Sequence, residues 1–155
     1  MTPPTVPVPH AIAPLVPRRR RPLVAVLPFT SPQPDERLRL LGADVADALR
    51  RRLAVTPGVG SLLIRSEFLS RAPDHARELI CRQLRVGHLV SGTCYEFLPG
   101  TTSLYIELAD TRGWHVAWAD FIKGNARDLL DGQSEVMTKV VEHLRVALQR
   151  RPLPD

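Results

Sequence analysis

The sequence predicts an α/β domain built on a mixed sheet in the order βαβαβββα, parallel in its early part, an antiparallel meander afterwards, and packed by three helices. Three observations lead there. The apolar runs Leu23 to Phe29 and Leu62 to Ile64 are each followed by a stretch of helical periodicity, the alternation that parallel pairing requires. Three extended stretches then come in quick succession, divided by turn signals alone. A final amphipathic stretch supplies the apolar stripe that covers the open face of the meander.

The first run, Leu-Val-Ala-Val-Leu-Pro-Phe, has the length and branched content of a strand buried on both faces, and Pro28 should end its pairing. Beyond the turn cluster Ser31 to Asp35, Leu38, Leu41, Val45, Leu49 and Leu53 recur at three- and four-residue spacing, predicting a helix of about 17 residues. Arg50, Arg51 and Arg52 lie near its C-terminal turn, where cations favour the helix dipole. Pro57-Gly58 breaks it and leads into the second strand. Pro73 and Asp74 open another helix, with Ala76, Leu79, Ile80, Gln83 and Leu84 facing inward and an end near Gly87.

The meander is read as His88 to Leu98, Ser103 to Asp110 and Trp114 to Ile122, with turns at Pro99-Gly100 and Thr111-Arg112-Gly113. Leu104, Ile106 and Leu108 alternate with Tyr105, Glu107 and Ala109, and Trp114, Val116 and Trp118 with His115 and Ala117, so each strand should have one core face. Same-face spacing assigns both tryptophans to core packing. Leu129, Gln133, Val136, Met137, Val140, Leu144 and Ala147 form the stripe of one long last helix.

Composition divides the chain. Seven of the 15 prolines precede residue 23, so residues 1 to 22 read as a disordered Pro/Arg-rich arm, residues 23 to 150 as the folded domain and 151 to 155 as a tail. Arg18, Arg19, Arg20 and Arg21 supply four of the five net positive charges, leaving +1 for the rest. The basic character therefore speaks for the arm's partners and says little about the domain. No apolar run approaches the roughly 20 residues of a membrane span, and prolines break the start where a signal peptide would need an unbroken apolar core. The expectation is a cytoplasmic protein without membrane contact.

Chemistry is sparse. Cys81 and Cys94 are too few for a disulfide scaffold and read as buried thiols. With His88 they make the nearest metal-ligand set, but without the short paired spacing of a zinc loop, so no metal is expected. His75, His88, His115 and His143 are scattered, and no nucleophile elbow precedes a helix, so no catalytic residue is assigned. The loop Thr30 to Glu36, where a nucleotide fold would place glycines, is proline-rich and acidic, and no cofactor is expected. Arg65 and Ser66, at the end of the second parallel strand, are the candidate small-anion crevice. Arg18 to Arg21 are the candidate phosphate contact, with no aromatic residue interleaved for base stacking.

Several stretches together resemble the TolB amino-terminal-like α/β domain found in bacterial regulatory proteins. They are Val24 to Phe29, Leu41 to Leu49, Pro57-Gly58-Val59, Arg65 to Phe68, Gly87 to Gly92, Trp118-Ala119-Asp120 and Gln133 to Val136, in the family's order over residues 23 to about 148. The resemblance implies a regulatory or assembly module that sits behind a winged-helix or nucleotide cyclase domain, often ahead of tetratricopeptide repeats. It carries no catalytic residues over. This chain departs from the pattern in having neither effector domain nor repeats, and in placing Gly132 where the final helix usually has a larger apolar residue.

The reading that follows is a non-catalytic regulatory or scaffolding module of bacterial signalling or transcription regulation that binds a protein partner, with self-association as a further expectation. Two alternatives stand beside it: an accessory nucleic-acid binder using the arginine arm, and a small-ligand sensor using the Arg65-Ser66 crevice.

Overall fold

The computed structural model of the protein describes residues 23–64 and 81–150. Five strands form one sheet in the order β2-β1-β3-β4-β5. They are β1 (Leu23–Val26), β2 (Gly60–Leu63), β3 (His88–Leu98), β4 (Thr101–Asp110) and β5 (His115–Gly124). β1 is parallel to both β2 and β3, whereas β3, β4 and β5 run antiparallel, as the alternation of sequence patterns predicts. The arm, the start of the second predicted helix, Arg65 and Ser66, and the tail lie outside the described residues.

Helix α1 (Glu36–Ala54) links β1 to β2. Its Asp35 N-cap accepts a hydrogen bond from the Arg37 amide, and Arg51 and Arg52 occupy the last turn, so both ends complement the dipole. All five residues of its predicted stripe are buried. They pack on one sheet face, which carries Val24, Val26, Val90, Cys94, Leu104, Ile106 and Leu108. Each such aliphatic side chain contributes roughly 1.5–3 kcal/mol on leaving water.

The predicted last helix is two helices, α2 (Ala126–Leu130) and α3 (Glu135–Gln149). Two caps explain the break: Asn125 accepts from the Asp128 amide and Ser134 from the Met137 amide, each starting a helix of its own. Gln133 lies between the two and is exposed, so it leaves the predicted stripe. Gly132, in the same link, lies against Arg52 and Ala48 of α1. Leu129 of α2 and Met137, Val140, Val141 and Leu144 of α3 complete the core over the meander.

Among the described residues, the opposite sheet face is covered only in its parallel part, where Ala25, Leu27, Ile64 and Leu89 meet Cys81 and Val86. Residues 81–84 are helical, but Gln83 and Leu84 are exposed, not inward. The helix ends there in a Schellman-type closure, the Val86 amide bonding back to the Cys81 carbonyl, so Cys81 and Val86 make the inward contact.

The sequence motif around Pro28 has a clear packing role. The Pro28 break interrupts pairing after Val26, and the strand resumes as a single bridge, Thr30 to Thr93. Between them Phe29 is wedged against two glycines. A Cβ at Gly42 would lie 2.2 Å from the Phe29 carbonyl oxygen, and one at Gly92 would lie 2.9 Å from the Phe29 ring and 2.8 Å from the Tyr105 oxygen. Glycine inside α1 costs helix propensity, and this close approach is the physical reason it is there.

Candidate interaction surface

Every second residue of β3, β4 and β5 points away from the α1–α3 layer. In the predicted core phase, Leu104, Ile106 and Leu108 are buried. The opposite phase brings together Thr93, Tyr105 and Phe121, which lie side by side across the three strands, with Tyr95 beside Ser103 and Lys123 in the next row. The Tyr95 and Phe97 rings stack at 5.4 Å with 11° between their planes, and Phe121 leans on Tyr95 at 6.3 Å. Phe97 and Phe121 remain 68% and 46% exposed. The hairpin tip adds Leu98, also exposed. Among the described residues nothing covers this face, which makes it an aromatic platform on an otherwise packed domain.

The platform has polar fittings. The Tyr105 hydroxyl donates to the Glu107 carboxylate at 2.8 Å, and that bond is the main cause that holds the phenol above its usual pKa. On the other side of β3, Glu96 takes two hydrogen bonds from Arg37, and its backbone amide donates to the Gln33 side chain at 2.8 Å while the Gln33 amide returns a bond to the Glu96 carbonyl. Gln33 thus extends the sheet by one side chain beyond the Thr30 bridge, fixing the proline-rich loop against β3. The Asp35 carboxylate already caps α1 at that loop.

The candidate chemical residues do not converge. Cys94 lies in the α1–α3 core and Cys81 in the core on the opposite sheet face. Both are buried and free of disulfides, and burial pushes the Cys94 thiol up to about 11, far from a thiolate at neutral pH. His88 begins β3 opposite Asp110, which lies opposite His115 on β5. Burial lowers the His88 pKa against the pull of Asp110, and its Nδ1 is buried without a hydrogen-bond partner. His143 instead leans on Trp118 at 5.9 Å. Among the described residues no three His, Cys, Asp or Glu side chains gather as a metal site. Arg18 to Arg21, Arg65, Ser66 and His75 lie outside the described residues.

The tryptophans divide. Trp118 packs on the core beside α3, as expected. Trp114 does not: Leu108 pairs with Trp118 and Ala109 with Val116, so Ala117 is a bulge residue that shifts the phase, and Trp114 falls in the turn, 42% exposed. Val116 turns outward for the same reason.

Comparisons with known proteins fit this architecture. No protein-family model matches the chain, and no curated protein matches it in sequence. Solved structures do. PelC from Paraburkholderia phytofirmans, solved as a dodecamer, is similar at a TM-score of 0.53 and 19% identity over 86% of this chain and 91% of PelC. TolB from Acinetobacter baumannii is similar at 0.55 and 14% identity over 84% of this chain, which spans only 29% of TolB. A lipoprotein from Neisseria meningitidis is similar at 0.51 and 13% identity, over 84% of this chain and 99% of the lipoprotein. The fold is similar to that of TolB and PelC. At these identities the likeness is one of fold, and it adds nothing for a winged-helix or cyclase setting.

Strand periodicity marks the phase of each strand that is apolar enough to be buried, and the platform lies in the opposite phase. Tyr95, Tyr105 and Phe121 sit in the other phase, and Phe97, in the irregularity between Tyr95 and Leu98, stacks on Tyr95. The common phase of Tyr95, Tyr105 and Phe121 across three strands is the signal that finds them.

Proposed function

We propose that the protein is a non-catalytic regulatory or scaffolding module that works by binding protein, and that the partner its platform fits best is another copy of the same chain. The observation that carries this is the contiguous aromatic face of Tyr95, Phe97, Tyr105 and Phe121, which no described residue covers. Aromatic residues are enriched in protein interfaces because each buries a large rigid surface at low conformational cost. β5, at the edge of the sheet, adjoins that face and offers unpaired backbone groups to a further strand. PelC, which this chain matches nearly end to end, was solved as a dodecamer, and that supports self-assembly here. Among the described residues the cysteines and histidines are dispersed, which supports the non-catalytic part.

Light scattering on a concentration series of the full chain tests the reading. Wild-type protein is expected to self-associate, and Phe97→Ser with Phe121→Ser to return a folded monomer. A wild-type chain that stays monomeric at every concentration, with no protein cross-linked through this face, removes the proposal.

A further inference from the structure

A second feature lies at the other end of the sheet. Residues from the segment 81–87 and from the turn between β4 and β5 line an open cavity of about 360 Å³, within the range of small-molecule sites. Thr111 fixes its base: the Thr111 hydroxyl donates to the Val86 carbonyl at 2.7 Å and the Thr111 amide to the Gly87 carbonyl at 3.0 Å. The apolar lining includes Cys81, Val86 and Trp114, and the charged lining is Arg82, Arg85 and Arg112, with no carboxylate among the described lining residues. Arg112 is shared with Asp110 at 3.6 Å, but among the described residues neither Arg82 nor Arg85 takes part in an ion pair.

The backbone points to the same place. Among the described residues only two non-glycine positions have positive φ, Arg85 at 55° and Trp114 at 52°, and both line this cavity. Each has a glycine one or two residues away, Gly87 and Gly113, and neither glycine takes the left-handed conformation that suits it. Arg85 occupies the helix-ending position where glycine is usual, and a bulky Trp114 in that region is rarer still. Sequences that oppose local backbone preference do so chiefly where a side chain is needed for function.

We propose that this cavity binds a small organic anion, a phosphate or carboxylate carried on a flat ring, with Arg82 and Arg85 holding the anionic group and Trp114 stacking on the ring. Guanidinium groups suit both anions through paired N–H donors, and the indole face suits a planar apolar body. The inference is independent of self-assembly, since the aromatic platform lies toward the opposite ends of β3 and β4.

The test is titration of the full chain with phenyl phosphate, benzoate and inorganic phosphate, read by calorimetry and tryptophan fluorescence. At least one ring-bearing anion is expected to bind saturably and more tightly than inorganic phosphate, and comparison of the two identifies the preferred anion. Arg82→Gln with Arg85→Gln should weaken binding at least about tenfold. Arg85→Gly separates this role from a structural one: it should raise Tm by relieving the left-handed arginine, yet weaken binding. Absence of saturable binding by both ring anions up to about 10 mM, or affinity unchanged in the double variant, overturns the proposal.

Discussion

The parallel and antiparallel halves of the sheet share β3 but are finished differently. In the parallel half both faces are covered, by α1 on one side and by Cys81, Val86 and their neighbours on the other, and Phe29 is gripped between two glycines. In the antiparallel half the described residues cover only one face, and the other displays a stacked aromatic row. Parallel strands must be buried on both sides because their crossovers lie on the faces, whereas a meander tolerates one open face. The lesson is that apolar content alone does not mark the core: on β4, Ile106 and Tyr105 are adjacent, and only the first is sealed.

Substitutions distinguish the two halves. The largest effect is expected from Gly42→Ala, whose new methyl meets the Phe29 backbone oxygen with no flexible side chain to give way. A loss of about 4 kcal/mol, read by urea denaturation, is expected, and a change below about 1 kcal/mol would show that the parallel half is loosely finished after all. The two faces of β4 come next. Ile106→Ala should cost about 3 kcal/mol by leaving a cavity, and Tyr105→Ala, one residue away, less than about 1 kcal/mol. Equal losses would mean that the outer face is covered in solution.

A smaller effect concerns pH. Burial, opposed by Asp110 and assisted by the charges of Arg112 and His115, puts the His88 pKa below its ordinary value of 6.5. Protonation then favours the unfolded chain: stability is level above about 6.5 and declines as pH falls through that value, until the folded-state pKa is passed. Denaturation midpoints between pH 8 and pH 5 should show this decline, and His88→Gln should flatten it. The smallest change in stability, within about 0.5 kcal/mol, is expected for Phe97→Ser, because the side chain is already largely in water. Its effect on self-association should nevertheless be large, and that dissociation of the two readouts is what an open docking face predicts.

Element type and order were legible in the sequence because they rest on periodicity and on turn residues, which are local. His88 to Leu98 reads directly, bounded by Gly87 and Pro99-Gly100, and the five-residue stripe of α1 reads from spacing alone. What failed was phase and continuity. The bulge at Ala117 shifts β5 by one residue, and a bulge is a feature of pairing between strands that neither strand announces by itself. The break between α2 and α3 rests on the caps Asn125 and Ser134, which a reading of the apolar stripe alone passes over. The aromatic face was hidden because it depends on which side of the sheet the described helices cover, a property of the assembled fold.

The shared strand also orders how the molecule is built. β3, β4 and β5 are joined by short turns, at Pro99-Gly100 with Gly100 left-handed and at Thr111 to Trp114, so their pairing closes small loops and needs little search. β1 pairs with β3 across more than 60 residues of chain and with β2 across α1. The meander is therefore the natural early structure in refolding and β3 its growing edge, onto which the N-terminal strand docks late.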